Sequence, residues 1–154
     1  MKKILAVVLT VILALSFAAC GEKNYNYEEI NFDEIIKVYK ENRARAEEEY
    51  IGDYVYVKLE VNDIISKDFF YGSVFDIYEE DGEILKFFDH YIDCFVADEE
   101  LQKRVLNLKK EEKVVVKGKI TEISVNDNVS IYRGPYHYDY ISSVTLDLEV
   151  YEIQ

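Results

Sequence analysis

Residues 108–123 constrain the fold of this chain more than any other stretch. They begin with charged turn residues and continue as a strand whose two faces differ in chemistry. One face is apolar and the other is polar: Val114, Val116 and Ile120 against Lys117, Lys119 and Thr121. Gly118 stands in the middle of this strand, where a side chain would obstruct a tight bend or close packing. A small closed barrel accommodates such a strand better than an open sheet does.

The remaining chain supplies four further strands and two helices. Alternation of apolar and polar residues predicts a half-buried strand over residues 54–64. Apolar and aromatic runs and a hairpin turn at Asp81-Gly82 predict three more strands, over residues 70–78, 84–96 and 144–150. Suitable N-caps and apolar residues three and four positions apart predict helices over residues 31–49 and 98–106. A polar turn is predicted at residues 126–128.

The order of these elements indicates an architecture. Three strands, a short helix and two strands is the order of the OB-fold, a partly open five-stranded barrel. We therefore expect a mainly β chain with helices, in which an OB-fold barrel over residues 31–154 includes a preceding N-terminal helix. The 154 residues, 49% of them hydrophobic, suffice for the core of one such domain.

The N-terminus has the pattern of an export signal. Lys2 and Lys3 precede an apolar run over residues 4–17 that is too short to span a bilayer comfortably. Small residues follow it, and the next residue is Cys20. This ending resembles the lipobox of bacterial lipoproteins, which implies cleavage after residue 19 and a diacylglycerol on Cys20. Residues 20–30 are then a short tether, and the domain is expected on the extracytoplasmic side of the cell membrane, lipid-anchored in the bacterial envelope.

Cysteine count and charge narrow the chemistry further. Cys94 is the remaining cysteine of the predicted domain, so it has no intramolecular disulfide partner, and its apolar surroundings predict an inert buried thiol. The formal net charge is −13, and loss of Lys2 and Lys3 with the signal would make it more negative. Such a chain repels polyanions at long range, so nucleic acid is an unfavoured partner. Solubility of an exported protein is an alternative reason for the acidity.

Several stretches resemble the tRNA_anti-like family of bacterial OB-fold lipoproteins. The matching residues lie between positions 33 and 124: Tyr39-Lys40-Glu41-Asn42 with Ala46, Tyr50-Ile51-Gly52, Val61-Asn62-Asp63-Ile64, Asp93-Cys94-Phe95, Leu108-Lys109-Lys110, and Val114, Val116 and Gly118. The resemblance implies an OB-fold. It implies no established activity, because the family name records a likeness to anticodon-binding domains.

The most unusual stretch lies between the fourth and fifth predicted strands. It is rich in aromatic residues and contains the chain's proline; its candidate ligand-binding residues are Tyr132, Arg133, Tyr136, His137, Tyr138 and Tyr140. The loop between these strands borders the binding face of OB-folds, and exposed tyrosines offer flat apolar surface with a hydroxyl group. Alternatively, these tyrosines fold back and cover one end of the barrel.

A second candidate is an aromatic platform on the outer face of the first three strands. Its members would be Tyr54, Tyr56 and Lys58 with some of Phe69, Phe70, Tyr71 and Tyr91. OB-folds that bind single strands use such platforms together with a basic groove. The favoured alternative is that the helix over residues 31–49 packs on these aromatic rings.

No residue pattern indicates catalysis, a cofactor or a metal. His90 and His137 lie near aspartates in sequence but at no metal-binding spacing, so ordinary, partly exposed histidines are expected. The leading hypothesis is a non-catalytic, membrane-anchored binding module for a protein, peptide or glycan of the envelope. The alternatives are oligonucleotide binding, as the family name suggests, and a structural accessory role in an envelope complex.

Overall fold

The computed structural model describes residues 25–80, 83–132 and 138–154. Five strands form a closed barrel: β2 (Tyr54–Ser66), β3 (Phe69–Glu80), β4 (Glu83–Phe95), β5 (Lys113–Tyr132) and β6 (Tyr138–Ile153). The strands follow one another around it in the order β2-β3-β4-β6-β5, and β5 pairs with β2 to close the barrel. The pairing of β4 with β6 is parallel, whereas the other four pairings of the barrel are antiparallel.

This topology is that of the OB-fold. A short helix, α3 (Glu99–Val105), connects β4 to β5, at the place where OB-folds carry their helix. Asp98 caps it by accepting hydrogen bonds from the backbone N–H groups of Glu100 and Leu101, both at 2.9 Å. The predicted fold class is therefore confirmed, and the observed strands are mostly longer than the predicted ones.

Alternation along the strands builds the core. Val114, Val116 and Ile120 are buried, as their spacing predicts. Gly118 lies where the register between β5 and β6 shifts, and a Cβ there would lie 2.7 Å from the carbonyl oxygen of Glu149. A side chain at this position would thus collide with backbone, which is why the strand carries a glycine here.

The predicted N-terminal helix is two helices. They are α1 (Phe32–Glu41) and α2 (Arg43–Tyr50), separated by Asn42 in an extended conformation. The side chain of Asn42 accepts a hydrogen bond from the backbone N–H of Arg45, so a capping residue starts a second helix where one continuous helix was predicted. Ile35 of α1 packs into the barrel core.

The predicted polar turn at residues 126–128 is wrong. These residues lie within β5, which pairs with β6 on both sides of them: Asn126 with Ser143 and Val129 with Ile141. A register shift between these pairs accommodates one extra residue of β5 as an irregularity of the strand. Asp127 makes two polar contacts on the outside of the barrel. Ser142 donates a hydrogen bond to its carboxylate at 2.8 Å, and Lys40 forms an ion pair with it at 3.1 Å.

Part of the predicted tether is packed on the barrel. A short strand, β1 (Glu28–Glu29), pairs in parallel with β2 at Val55 and Tyr56. Within the described ranges, no helix combines the length and apolarity needed to cross a bilayer.

Candidate binding faces of the barrel

The predicted binding loop is described only at its borders. Tyr132 ends β5, and Tyr138 and Tyr140 belong to β6, so the segment between them joins neighbouring strands as expected. The backbones of Tyr132 and Tyr138 pair with each other. Arg133, Tyr136 and His137 lie outside the described residues. A ligand-binding role for this loop stays a prediction.

Tyr54 and Tyr56 lie on an outward face that combines tyrosines with lysines. In the pairing of β2 with β5, Tyr54 stands opposite Lys119, and Tyr56 stands opposite Lys117. We call this surface the lysine–tyrosine face; its members are Tyr54, Tyr56, Lys58, Lys117, Lys119 and Tyr151. The predicted platform residues of the first strand thus share their face with cations of the fourth barrel strand.

Residues 25–29, which we call the N-terminal segment, cover this face with aromatic rings. The ring of Tyr25 stacks on that of Tyr54, with centroids 3.9 Å apart and an interplanar angle of 11°. It also lies 5.5 Å from the ring of Tyr151. The ammonium of Lys117 is 5.7 Å from the centroid of Tyr27, within cation–π range.

The same segment also adds a carboxylate. Tyr56 donates a hydrogen bond from its hydroxyl to Glu29 at 3.1 Å, and the ammonium of Lys58 lies 3.7 Å from the other oxygen of that carboxylate. The alternation of Tyr25, Tyr27 and Glu29 therefore matches the pleat of a strand that lies along β2. The N-terminal segment covers Tyr54 and Tyr56, whereas the sequence suggested a helix as their cover.

These contacts change the acidity of the tyrosines. The hydrogen bond with Tyr25 raises the pKa of Tyr54, and the one with Glu29 raises that of Tyr56. Desolvation, together with a hydrogen bond to Glu149, raises the pKa of Tyr151 more strongly. The phenols of this face therefore keep their protons at a higher pH than free tyrosine does.

A second face, on β3, β4 and β6, combines aromatic rings with carboxylates. We call it the aromatic–carboxylate face; its members are Phe69, Tyr71, Tyr91, Asp93, Phe95, Glu122 of β5 and Asp147. Phe69 and Phe95 stack across the β3–β4 pair with centroids 4.9 Å apart. Phe95 is 44% exposed and Tyr91 is 38% exposed, although both are large apolar side chains. In OB-folds, the strands equivalent to β3 and β4 carry the ligand-binding face.

Three carboxylates lie close together on this second face. Asp93 pairs with Asp147 across β4 and β6, and Glu122 pairs with Asp147 across β5 and β6. Desolvation raises the pKa of Asp93. Desolvation, followed by repulsion from Asp93 and Glu122, raises the pKa of Asp147. A cation placed here would relieve this repulsion.

The structure excludes one possible platform residue, and it contradicts the expectation for His90. Phe70 is fully buried, because it is out of phase with Phe69 and Tyr71 and points into the barrel. His90 is 4% exposed rather than partly exposed. Its Nδ1 accepts a hydrogen bond from the backbone N–H of Val144 at 3.1 Å, and its ring stacks on Phe32 of α1.

Cys94 has the predicted character of an inert thiol. It is fully buried in the core, and burial raises its pKa well above the ordinary value for cysteine. Among the described residues, no group of three or more His, Cys, Asp and Glu side chains is arranged to hold a metal ion.

The solved structures that resemble this chain include two single-stranded DNA-binding proteins. No protein-family model matches the chain, and no curated protein matches it at a significant level. A small single-stranded DNA-binding protein from Streptomyces coelicolor aligns at 14% identity with a TM-score of 0.44, over 67% of this chain and 93% of its own. A small single-stranded DNA-binding protein from Mycoplasma pneumoniae aligns at 12% identity with a TM-score of 0.30, over 64% and 91%. The OB-fold assignment rests on the strand order and pairing of this chain itself.

Proposed function

We propose that this chain is a non-catalytic OB-fold binding module whose aromatic–carboxylate face holds a lysine- or arginine-containing segment of a protein partner. The observation that supports this most directly is the combination of exposed Tyr91 and Phe95 with the carboxylates of Asp93 and Asp147. Aromatic faces attract cations, and carboxylates whose pKa values are raised by desolvation, and at Asp147 also by repulsion from Asp93 and Glu122, gain from a positive neighbour. The same carboxylates repel phosphates.

Binding of simple charged peptides tests this proposal. A fluorescent peptide of alternating lysine and glycine is titrated with the full chain in detergent, and anisotropy reports binding. The variant Asp93→Asn/Asp147→Asn is expected to weaken binding by about tenfold, which is about 1.4 kcal/mol. The matched control is Glu41→Gln/Glu48→Gln, which removes two exposed carboxylates from α1 and α2. Equal weakening by both variants would reduce the effect to net charge and contradict the proposal.

The loop between β5 and β6 is included in the same proposal. Its tyrosines are expected to extend the aromatic–carboxylate face, because this loop borders the binding face of OB-folds. Tyr136→Ala/Tyr138→Ala should weaken binding of the lysine peptide while leaving the melting temperature unchanged. A lower melting temperature with unchanged binding would indicate instead that the loop only covers the barrel.

Single-stranded nucleic acid binding is the second candidate function. The observation that favours it is the lysine–tyrosine face, since stacked rings and cations together make a single-strand platform. The proteins from Streptomyces coelicolor and Mycoplasma pneumoniae bind single-stranded DNA, but likenesses this distant carry no argument for the present chain. A labelled oligothymidylate should bind in low salt and dissociate as salt rises if this candidate is correct. If the anisotropy of the oligothymidylate does not change at low salt, the nucleic-acid candidate is excluded.

Attachment to the membrane through Cys20 completes the proposal. The apolar run and the small residues before Cys20 support this attachment. The short stretch after Cys20 then limits how far the barrel can lie from the lipid. Tyr25 stacks on the barrel, and the five Cα–Cα steps from Cys20 to Tyr25 span at most about 18 Å. A lipid on Cys20 would therefore keep the lysine–tyrosine face close to the bilayer. Labelling with radioactive palmitate tests this, and Cys20→Ser should abolish both the label and partition into detergent; a retained label would contradict it.

A further inference from the structure

The N-terminal segment contacts the lysine–tyrosine face as a bound peptide would. Its backbone pairs in parallel with the edge of β2 at Val55 and Tyr56. This edge is available because β3 pairs with β2 only from Glu60 onward. Addition of a strand to a sheet edge is a common mode of peptide recognition, in which the backbone supplies affinity and alternate side chains supply specificity.

Alternate residues of the segment contact neighbouring outward positions of β2, where the first two residues share the ring of Tyr54. Tyr25 stacks on Tyr54, Tyr27 lies edge-on to the same ring at 6.1 Å, and Glu29 reaches Tyr56 and Lys58. The intervening residues Asn26 and Glu28 are exposed, and Glu29 is also largely exposed although it makes these contacts. The contacts thus select an aromatic residue, a second aromatic residue two positions later, and a carboxylate two positions after that.

The surface continues beyond the point where the segment leaves it. After Glu29 the chain turns into α1, whereas the barrel surface extends into a groove of about 400 Å3. The groove is lined by apolar and charged residues: Leu59, Val114 and Val115 with Lys58, Glu60, Lys113 and Gln154. A longer extended peptide would reach this groove, which the chain's own segment does not fill.

We propose that the lysine–tyrosine face is a peptide-binding site that the N-terminal segment occupies in cis. In trans it takes an extended acidic peptide of the pattern aromatic-x-aromatic-x-acidic. Pairing with the edge of β2 favours a peptide over a nucleic acid, because a nucleic acid lacks the backbone amides that extend a sheet. The covalently linked segment competes at a high effective concentration, so a ligand in trans binds weakly until the segment is released.

Displacement by a synthetic peptide tests this inference. The probe is a labelled peptide with the sequence of residues 24–31, and the receptor is the full chain in detergent. The variant Tyr25→Ala/Tyr27→Ala/Glu29→Gln vacates the site. It should bind the probe about 10- to 100-fold more tightly than the wild type does, because the competitor in cis is lost. A control peptide carrying the same three substitutions should not bind.

Further variants separate this site from the aromatic–carboxylate face. Added Tyr54→Ala/Lys58→Gln should abolish probe binding to the vacated chain, whereas added Asp93→Asn/Asp147→Asn should leave it unchanged. If the triple variant does not fold, Glu29→Gln alone should still bind the probe more tightly than the wild type. Equal probe affinity of the wild type and the vacated chain would overturn the inference. Binding of oligothymidylate but not of the probe would also overturn it, in favour of nucleic acid.

Discussion

The two outward faces of this barrel combine the same aromatic chemistry with different charged neighbours. On the lysine–tyrosine face, Lys119 stands opposite Tyr54, Lys117 pairs with Glu152 at 2.9 Å, and the N-terminal segment lies over the rings. The aromatic–carboxylate face surrounds Tyr91 and Phe95 with carboxylates, and both rings keep more than a third of their surface exposed. An acidic, aromatic segment is complementary to the first face and would be repelled by the second.

The difference between the faces has a structural origin in β2. The first half of β2 pairs with β5 on one side only, which leaves an edge for β1, whereas β4 pairs with β3 and β6 along the second face. A free edge lets a segment bind through its backbone, so it can be covered by the chain itself. The second face offers side chains alone. Strand pairing, as well as charge, therefore decides that the N-terminal segment lies on the lysine–tyrosine face.

Removal of one ring from each face should give the largest contrast. Tyr54→Ala is expected to lower the free energy of unfolding by about 1–2 kcal/mol, because it removes stacking with Tyr25 and contact with Tyr151. Tyr91→Ala should cost less than about 0.5 kcal/mol, since Tyr91 is 38% exposed. Urea denaturation measures both. Equal losses would show that the N-terminal segment does not stabilise the first face.

High pH should loosen the covered face before the open one. The pKa values of Tyr54, Tyr56 and Tyr151 are raised on folding, so their contribution to stability is complete below the pKa of free tyrosine. It is lost as the pH rises through the folded values. Tyrosinate absorbance follows this directly, because the chain contains no tryptophan. Tyr25→Ala should move part of the tyrosine titration to lower pH. If the titration curves of wild type and variant, scaled per tyrosine, superimpose, the contact of Tyr25 with Tyr54 is contradicted.

The smallest expected effect concerns the carboxylates of the open face. The pKa values of Asp93 and Asp147 are raised on folding, so their charged forms destabilise the protein at neutral pH. Asp147→Asn should therefore stabilise it by about 0.5 kcal/mol at pH 7. The gain should vanish near pH 3, where the aspartates are protonated. Thermal melts at both pH values measure this, with Glu48→Gln as the matched control; a gain that persists at pH 3 would contradict it.

Local sequence patterns predict which strands and helices exist better than they predict the residues at which these elements begin and end. Alternation in β2 and β5 predicted the buried valines, and Asp98 predicted the start of α3, because both signals act within a few residues. The apolar pattern runs across Asn42 and therefore does not indicate the break there. The polar residues around Asp127 predict a turn, because the strand irregularity that Ser142 stabilises depends on a partner strand distant in sequence.

In the candidate sites, too, the sequence indicates local features but not contacts between residues that are distant in the chain. Tyr54 and Tyr56 were predicted as surface residues, but their cover was not, because Tyr25, Tyr27 and Glu29 lie in a stretch whose composition is that of a linker. The aspartates at positions 93 and 147 were not recognised as neighbours, since parallel pairing of β4 and β6 brings together residues 54 positions apart. The period-two pattern of the N-terminal segment was the one signal that would have indicated a strand.

The sequence by itself determined the order of the five barrel strands, the helix between β4 and β5, the inward valines of β2 and β5, and the acidic balance of the chain. These follow from periodicity, capping and composition, which are properties of neighbouring residues. The tertiary structure alone decided which surface is covered and which carboxylates meet. Closure of the barrel sets those distances, and it depends on pairings between strands that are far apart in the chain.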